Sequence, residues 1–437
     1  MTTTDAHPPT SRTAAEGPPA FPFDDWGQRI SPAYARLREA PAPACRVVTV
    51  TGDQVWLVTR YDLARRLLAD PRLSLTAALE ADAPRQEPLR PRATGARGDG
   101  MATLQERGLR GILADALSPR AIRAHHAWTR LRARALFDEL SEQGPPADLQ
   151  QGLARPLTFA VARRVLLGEL TEDEGQVLNA WCDTVLVWRD RTRDEIQAAL
   201  DAMYGFFLRR APELAAAPGS DVVKRAAAAC TRDGGRLGAD GLAEVANLML
   251  IAGYRTAASF VANALVMMLS HPTALAALRD RPALLPSMVE EVLRHTPMST
   301  GGVKRVATDD VPLDGLTIKA GECVLVSLEA GNHDPHAYPE PDRFAPDRFA
   351  PDRFAADRGP VDGTSSEAGR PRSRPHLGFG HGKHHCPGNA LARMQIAVVL
   401  QTLADHTPTL RLAVPAGELR WRPDVAFRIP ETIPVTW

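Results

Sequence analysis

One cysteine near the C-terminus stands in a loop whose residue types suit metal-bound oxidation chemistry. Residues 379–388 read FGHGKHHCPG, and Cys386 comes just before an apolar helical pattern that runs from Asn389 to about Ala404. Glycines let a backbone approach a flat macrocycle and turn amide N–H groups toward a sulfur, and the start of a helix adds positive potential. A thiolate so placed suits the axial position of haem iron, because its electron donation favours O–O bond cleavage. The pattern therefore predicts that Cys386 is held as an anion.

Two other interpretations of this loop compete with haem ligation. Cys386 could be an ordinary buried cysteine, or it could form a zinc cluster with His381, His384 and His385. Zinc sites usually take their ligands from two separated pairs, and the sequence has no second Cys or His pair at such spacing. Haem ligation is therefore the favoured interpretation.

The loop resembles the haem-ligand signature of the cytochrome P450 family, FGxGxHxCxG, at every fixed position. The resemblance implies that Cys386 is the iron ligand, that His384 contacts a haem propionate and that Phe379, Gly380 and Gly388 border the cofactor. It also implies the family's fold, which is mainly α with a small β-rich lobe (α+β). In that fold a triangular prism of helices contains a long central helix over haem b.

The same resemblance implies an oxidoreductase that uses O2. Its electrons would come ultimately from NAD(P)H through a ferredoxin- or flavodoxin-type partner. The usual outcome is hydroxylation or epoxidation of a small organic molecule, and the composition resembles bacterial members that act in natural-product biosynthesis. The main alternative is an oxidase that forms a C–C, C–N or C–O bond without inserting oxygen. A non-catalytic haem sensor or recruitment module is a minor alternative.

An acid and an arginine three residues apart predict a structural clamp. Glu291 and Arg294 lie on one face of a helix at this spacing, where they can pair by charge-assisted hydrogen bonds. The pair matches the family's ExxR motif, which lies upstream of a PxRF segment. That segment makes Arg343 the expected third member, although Arg348 and Arg353 stand in identical contexts.

Two further arginines are expected at the cofactor. Arg305, in the strand-like segment VKRVA, resembles the family's propionate-binding arginine, and a planar guanidinium fork suits such an anion. In the region of the family's HxxxR helix the arginine is kept as Arg110. The usual histidine is Glu106, which would repel a propionate, so that contact is expected to be lost or taken over by Arg107.

The segment Ala252-Gly253-Tyr254-Arg255-Thr256 resembles the family's oxygen-binding AGx(D/E)T segment. By that resemblance Gly253 leaves room for dioxygen and Thr256 hydrogen-bonds oxygen or a proton-delivering water. Arg255 replaces the usual acid, and a guanidinium does not give up a proton near neutral pH. Either Arg255 points away and pairs with a carboxylate, which the helical geometry favours, or it tunes a site protonated by substrate and water. Peroxide-using relatives also carry an arginine here but follow it with proline, so that interpretation is minor.

Periodicity places these residues on their elements. Helical patterns dominate from about Thr103 to Leu269, and the longest, from about Ala239 to Ser270, is apolar all round and should cross the core. Strand-like stretches occur at Arg46–Val50, Gln54–Thr59, Val303–Thr308, Leu316–Ile318 and Glu322–Leu328.

A pentapeptide, PDRFA, stands three times in tandem at residues 341–355. Repeats that build folds have periods of about 20–50 residues, so we interpret the copies as a loop duplication. With the low-complexity stretch that follows, residues 345–375 are expected to be a mobile insert. Residues 21–437, which include this insert, are expected to form one catalytic domain, preceded by a disordered tail, 1–20.

Composition narrows the classes of partner and compartment. Acidic and basic residues balance, with 52 of each, so nothing indicates nucleic-acid binding. Cysteines are scattered singles, which is typical of a reducing compartment. No early apolar run resembles a signal peptide or membrane anchor, and a cytoplasmic enzyme without a membrane partner is expected.

Family topology predicts the substrate pocket without identifying the substrate. Asn247, Thr300, Val303 and Phe427 are the candidate lining residues. The loop at 72–100 carries several arginines that could meet an acidic or carrier-tethered substrate, although charges in such loops are more often a solvated surface.

Overall fold

The computed structural model describes residues 17–23, 27–80, 83–85, 110–186, 191–216, 219–232, 238–297, 301–350, 374–406, 409–422 and 427–437. Residues 1–16 of the expected tail lie outside these ranges. The backbone of Pro19 accepts a hydrogen bond from Val48, and the Phe21 N–H donates one to the same residue. The expected boundary at residue 20 is therefore wrong, because the chain already joins the fold at Pro19.

Helices make up most of the described chain. They are α1 (Ala33–Glu39), α2 (Tyr61–Ala69), α3 (Arg110–Ala116), α4 (Pro119–Arg123), α5 (His126–Glu142), α6 (Arg155–Ala162), α7 (Glu172–Val185), α8 (Arg193–Ala216), α9 (Val222–Arg232), α10 (Gly238–Leu248), α11 (Thr256–Ser270), α12 (Pro272–Asp280), α13 (Leu285–His295), α14 (Leu328–Asn332) and α15 (Asn389–His406). Short 3-10 or π-helical turns occupy Ala77–Leu79, Gln150–Ala154, Arg163–Leu167, Met249–Arg255, Pro282–Leu284, Gly382–His384 and Ala416–Glu418.

The strands form a smaller lobe. They are β1 (Cys45–Val48), β2 (Gln54–Val58), β3 (Leu73–Ser74), β4 (Ala147–Asp148), β5 (Val303–Ala307), β6 (Val311–Leu313), β7 (Leu316–Ile318), β8 (Cys323–Val326), β9 (Arg411–Leu412) and β10 (Pro434–Thr436). The largest sheet has the order β1-β2-β8-β5-β3; β2 and β8 run parallel and its other pairs are antiparallel. The prediction of a mainly α fold with a small β-rich lobe is confirmed.

One continuous helical segment, from Gly238 to Ser270, forms the centre of the molecule. It consists of α10, the π-helical segment Met249–Arg255 and α11, and Pro272 follows its end. Its length and composition would also allow it to cross a membrane, but most of its apolar window is buried inside the protein. The apolar side chains that predicted this helix therefore pack mostly in the core of the protein.

The helix after Cys386 packs directly against the central helix. Helix α15 contacts α11 on one side and α5 on another, and Ile396, Val399 and Leu400 are fully buried in the main apolar cluster. Because Cys386 stands just before α15, this packing fixes the position of the sulfur relative to the central helix.

The repeated pentapeptide is part of the fold over its first two copies. Phe344 and Phe349 are buried, and the Phe349 N–H donates to Ser287 Oγ at 3.1 Å. The expectation of a mobile insert is therefore wrong for residues 345–350, because the apolar side chain and backbone of the second copy are held by α13. Residues 351–373, including Arg353, lie outside the described residues.

Candidate functional site

Backbone hydrogen bonds close the cysteine loop on itself. The Cys386 N–H donates to the Phe379 carbonyl at 2.9 Å, and the Gly380 N–H donates to the Leu377 carbonyl at 2.7 Å. Gly382 has a φ of +75°, and a Cβ there would lie 2.6 Å from the Leu68 carbonyl oxygen. Glycine is therefore required at 382 both by the left-handed backbone and by the close approach of α2.

The surroundings of Cys386 act on the pKa of its thiol. Desolvation raises this pKa above its ordinary value, and the opposing effects of the Gly388 N–H and of Arg393 are smaller. A metal that binds there would have to displace the thiol proton. The expected anion concerns the sulfur as an iron ligand and stays a prediction.

A largely apolar cavity of about 560 Å³ separates the cysteine loop from the central helix. Many of the predicted site residues line it. These are Cys386, Phe379, Gly380, Gly388 and His384 from the loop, Ala252, Gly253 and Thr256 from the central helix, and Arg305, Val303 and Phe427 elsewhere. A wider groove of about 830 Å³, near Trp128 and Asp221, contains none of the predicted site residues.

Thr256 stands where the central helix changes from π- to α-helical geometry. A π-helical segment breaks the regular pattern of hydrogen bonds from residue i to residue i−4, and the Thr256 hydroxyl donates to the Ala252 carbonyl. The hydroxyl oxygen keeps acceptor capacity at the cavity wall. A water or an oxygen species in the cavity can therefore hydrogen-bond to Thr256.

Gly253 lines the cavity, as expected. A Cβ there would lie 2.4 Å from Cδ1 of Leu166, a residue of the neighbouring segment Arg163–Leu167 that lines the same cavity. The missing side chain therefore gives room to Leu166, and the expected room for dioxygen stays a prediction.

Arg255 points away from the cavity and pairs with Asp183. Asp183 lies near the end of α7, a helix that begins with a capping box between Thr171 and Glu174. Burial acts to raise the pKa of Asp183, but Arg255, Arg155 and Arg422 outweigh it, so this pKa lies below its ordinary value. The structure thus has the first of the two arrangements that the sequence left open, and Arg255 is not placed for direct contact with the cavity.

The clamp is built around the fully buried carboxylate of Glu291. Arg294 donates to it from Nε at 2.7 Å and from Nη2 at 2.9 Å, and the Ala345 N–H donates at 2.8 Å. The third side chain is Arg348, whose Nε lies 3.1 Å from Oε1. The assignment of Arg343 is wrong, because its exposed side chain pairs with Glu340 instead.

A family model described as Cytochrome P450 matches residues 281–406, a segment that contains both the clamp acid and Cys386. Nocardicin C N-oxygenase of Nocardia uniformis subsp. tsuyamanensis is 34% identical over 423 residues, which cover 96% of this chain and 98% of that protein. This chain belongs to the cytochrome P450 family. It is therefore an oxidoreductase.

Further similarities extend over almost the whole of this P450. Mycinamicin IV hydroxylase/epoxidase of Micromonospora griseorubida is 32% identical and covers 97% of this chain and 100% of that protein. The crystal structure of cytochrome P450mel 107F1 with biaryl coupling reactivity is 31% identical, has a TM-score of 0.81 and covers 96% of this chain and 99% of that one. The P450 fold predicted from the motifs is confirmed.

The family implies haem, and the residues of this cavity fit it. A Cβ on Gly388 would contact only the Cys386 sulfur, at 3.8 Å, so this part of the wall is open to a flat ring. Arg305 and His384 line the same cavity and can offer N–H donors to propionates. Among the described residues, no group of three or more His, Cys, Asp or Glu side chains could hold a metal ion, so the zinc alternative finds no support there.

Arg110 lies outside this cavity. Its Nη2 donates to the carbonyl of Lys383 in the cysteine loop at 3.0 Å. This hydrogen bond ties Arg110 to the cysteine loop, and the expected contact with the cofactor stays a prediction. Glu106 and Arg107 lie outside the described residues.

Two of the four predicted pocket residues, Val303 and Phe427, line the cavity. Thr300 lies outside the described residues. Asn247 does not line the cavity, and its prediction is wrong because the turn of the central helix brings Leu248 to the wall instead.

Sequence reasoning missed a second paired carboxylate, that of the partly buried Glu290. It accepts hydrogen bonds from Arg393 Nε at 2.6 Å and from Arg393 Nη2 at 2.9 Å, and its Oε2 lies 3.1 Å from Nε2 of His376. The guanidinium of Arg393 in turn lies 4.6 Å from the ring centre of Phe379. Glu290 therefore ties α13 to α15 and to the start of the cysteine loop. The adjacent acids at 290 and 291 were the available signal.

Proposed function

We propose that this P450 is a monooxygenase that hydroxylates or epoxidises a small organic molecule with O2 and two electrons. One observation carries the proposal: a single apolar cavity has the Cys386 sulfur on one wall and the Thr256 hydroxyl on the opposite helix. When bound, haem would supply the oxidation chemistry, and Cys386 would hold its iron through the sulfur.

The protein's own residues position and protect this chemistry. Cys386 supplies the sulfur, and the mostly apolar cavity wall excludes bulk water and holds an organic substrate. Thr256 can hold a water or an oxygen species by hydrogen bonding. We infer that it guides proton delivery, because its hydroxyl can both donate and accept.

The relatives' names support a role in bacterial natural-product biosynthesis, since one is an N-oxygenase and another a hydroxylase/epoxidase. We infer that electrons come from NAD(P)H through a ferredoxin- or flavodoxin-type partner. The substrate would be a free or carrier-tethered small molecule, and the enzyme would act in the cytoplasm.

A second candidate function is oxidative bond formation without oxygen insertion. It is favoured by the position of Arg255, which replaces the family's acid and points away from the cavity. Among the described lining residues the only acid is Glu329, on α14 rather than on the central helix. Cytochrome P450mel 107F1, one of the structural relatives, has biaryl coupling reactivity, which is of this kind.

Product mass separates the two candidates. Compounds that shift the Soret band of the haem-loaded enzyme would be incubated with a surrogate ferredoxin system, NADPH and isotopically labelled O2. Monooxygenation predicts a product with one labelled oxygen, whereas coupling predicts the loss of two hydrogens and no label. A reaction without ferredoxin is the control. Products that carry no label would overturn the monooxygenase assignment.

A further inference from the structure

One carboxylate, that of Glu329, stands in the wall of the apolar cavity. Glu329 belongs to the short helix α14 and is only 6% exposed. It is the only acid among the described residues that line the cavity, and most of the others are apolar. Withdrawing a carboxylate from water is unfavourable unless cations or hydrogen-bond donors compensate its charge. The cations that can reach Glu329 therefore bear on what the cavity can bind.

Arg428 faces this carboxylate from the C-terminal segment. Its Nη2 lies 3.9 Å from Glu329 Oε2, which is longer than a hydrogen bond. Its Nη1 donates to the backbone carbonyls of Gly27 and Arg29, at 3.1 and 2.9 Å. The guanidinium is thus shared between the carboxylate and the backbone. Because a carboxylate has about four acceptor sites, Arg428 leaves room for a second cation on the side of the cavity.

Glu329 lies next to the two predicted pocket residues that line the cavity, Val303 and Phe427. Phe427 directly precedes Arg428 in the chain. Val303 is paired with Val326 between β5 and β8, and Glu329 follows Val326 by three residues. The carboxylate therefore belongs to the part of the wall where the substrate is expected.

We propose that Glu329 forms a cation subsite, which selects substrates that carry a positively charged nitrogen. Arg305 and His384 suit the propionates of haem, whereas the carboxylate of Glu329 would repel them and suits a cation. The rest of the substrate would lie along the apolar wall toward Thr256. This inference rests on the proposed function, because it assigns a substrate class to the same cavity.

A purely structural role for the pair of Glu329 and Arg428 predicts a different mutational pattern. If the pair only ties α14 to the C-terminal segment, neutralising either residue should weaken the binding of charged and neutral ligands alike. A cation subsite predicts opposite effects on the preference for a charged ligand. Glu329→Gln removes the anion that holds the ligand, whereas Arg428→Gln removes the cation that competes with the ligand.

The test uses haem-loaded protein and a series of para-hydroxyphenylalkyl trimethylammonium ions, each matched with its tert-butyl analogue as a neutral isostere. A quaternary nitrogen has no lone pair, so it cannot coordinate iron. Calorimetry measures both affinities, and the Soret shift reports entry into the cavity. The affinity ratio of ion to isostere is taken within each variant, so that a general loss of affinity cancels.

In wild-type protein the ion should bind about 10-fold more tightly than its isostere, a difference of about 1.4 kcal/mol. Glu329→Gln should abolish this preference, and Arg428→Gln should keep or increase it. Glu322→Gln is the matched control and should leave the ratio unchanged. Glu322 stands just before β8 and pairs with Arg46, but it does not line the cavity.

Several outcomes would overturn the proposal. These are equal or tighter binding of the isostere in wild-type protein, a preference that survives Glu329→Gln, and loss of the preference in Arg428→Gln or in Glu322→Gln. Tetramethylammonium chloride is tested alone as a free cation. If it stabilises wild-type protein but not Glu329→Gln while the longer ions show no preference, the subsite holds a free cation and the substrate assignment is wrong. The carbon-monoxide spectrum of the same preparations reports separately on the proposed function.

Discussion

Arg348, not Arg343, supplies the second guanidinium at Glu291, with its Nε 3.1 Å from Oε1. Its Nη groups also donate to the backbone carbonyls of Pro339, Glu340 and Arg343. The second copy of the repeat is thus fastened to α13. Arg343 and Arg348 therefore have different roles, although they stand in identical pentapeptides.

Arg348→Ala should therefore yield little haem-loaded protein. Removing one member of a buried charged network destabilises by about 3–5 kcal/mol. Arg343→Ala is the matched control, since its pair with Glu340 is exposed and is worth about 1 kcal/mol or less. Haem content per protein and urea unfolding measure both effects. Equal behaviour of the two variants would contradict the assignment.

Shortening the repeat tests the same clamp in another way. Deleting one copy leaves two identical copies and should be tolerated. Deleting residues 346–355 would bring Arg358 to the position of Arg348 but Gly359 to that of buried Phe349. We expect a loss of about 3–5 kcal/mol for the missing aromatic ring, measured by urea unfolding. Full stability of the two-copy deletion would show that the second copy is dispensable.

Glu290 predicts an acid-dependent loss of stability. Burial alone would raise the pKa of Glu290, but hydrogen bonds from Arg393 and His376 lower it to about 2. A lowered folded-state pKa means stability that is present above the ordinary value of about 4.5 and is lost as pH falls toward 2. The shift corresponds to about 3 kcal/mol.

Glu290→Gln should therefore be less stable than wild type at pH 6, and the difference should shrink as pH falls through 4. Urea unfolding at several pH values measures it, with Glu340→Gln at an exposed ion pair as the control. A difference that does not change with pH would remove the Glu290 carboxylate from this role.

Thr256→Ala should waste electrons if the hydroxyl guides protons. We expect more NAD(P)H consumed and more peroxide released for each product molecule. Thr256→Ser keeps the hydroxyl and should stay close to wild type. The ratios are measured with one substrate and one redox partner. An unchanged peroxide-to-product ratio in Thr256→Ala would contradict a role of Thr256 in proton delivery. Substrate and water would then have to deliver the protons.

Much of the site could be predicted from residues that lie close together in the sequence. Contacts between residues that are far apart in the sequence could not be predicted. The central helix was predicted close to its observed bounds, Gly238–Ser270, because its apolar pattern is continuous and Pro272 follows its end. Cys386 and the Glu291–Arg294 pair were found because their partners lie within a few residues. The sequence could not show that Arg348 is the arginine that binds Glu291, since the copies of the repeat are identical and only packing distinguishes them. Asp183 escaped notice because it meets Arg255 only through the fold.

Geometry also changed the meaning of residues that the motifs located correctly. An apolar period does not show which side of α10 meets the cavity, so the lining of the wall by Leu248 instead of Asn247 could not be foreseen. Gly253 matched its motif, but its close approach to Leu166 became visible only in the fold.

The central claim is that Cys386 is the thiolate ligand of haem iron. The reduced carbon-monoxide complex of the haem-loaded enzyme tests it most directly. We predict that wild-type protein gives the red-shifted Soret band of thiolate ligation and that Cys386→Ser, which lacks the soft sulfur donor, loses it even where haem is retained. Absence of this band from wild-type protein, or its persistence in Cys386→Ser, would contradict the account.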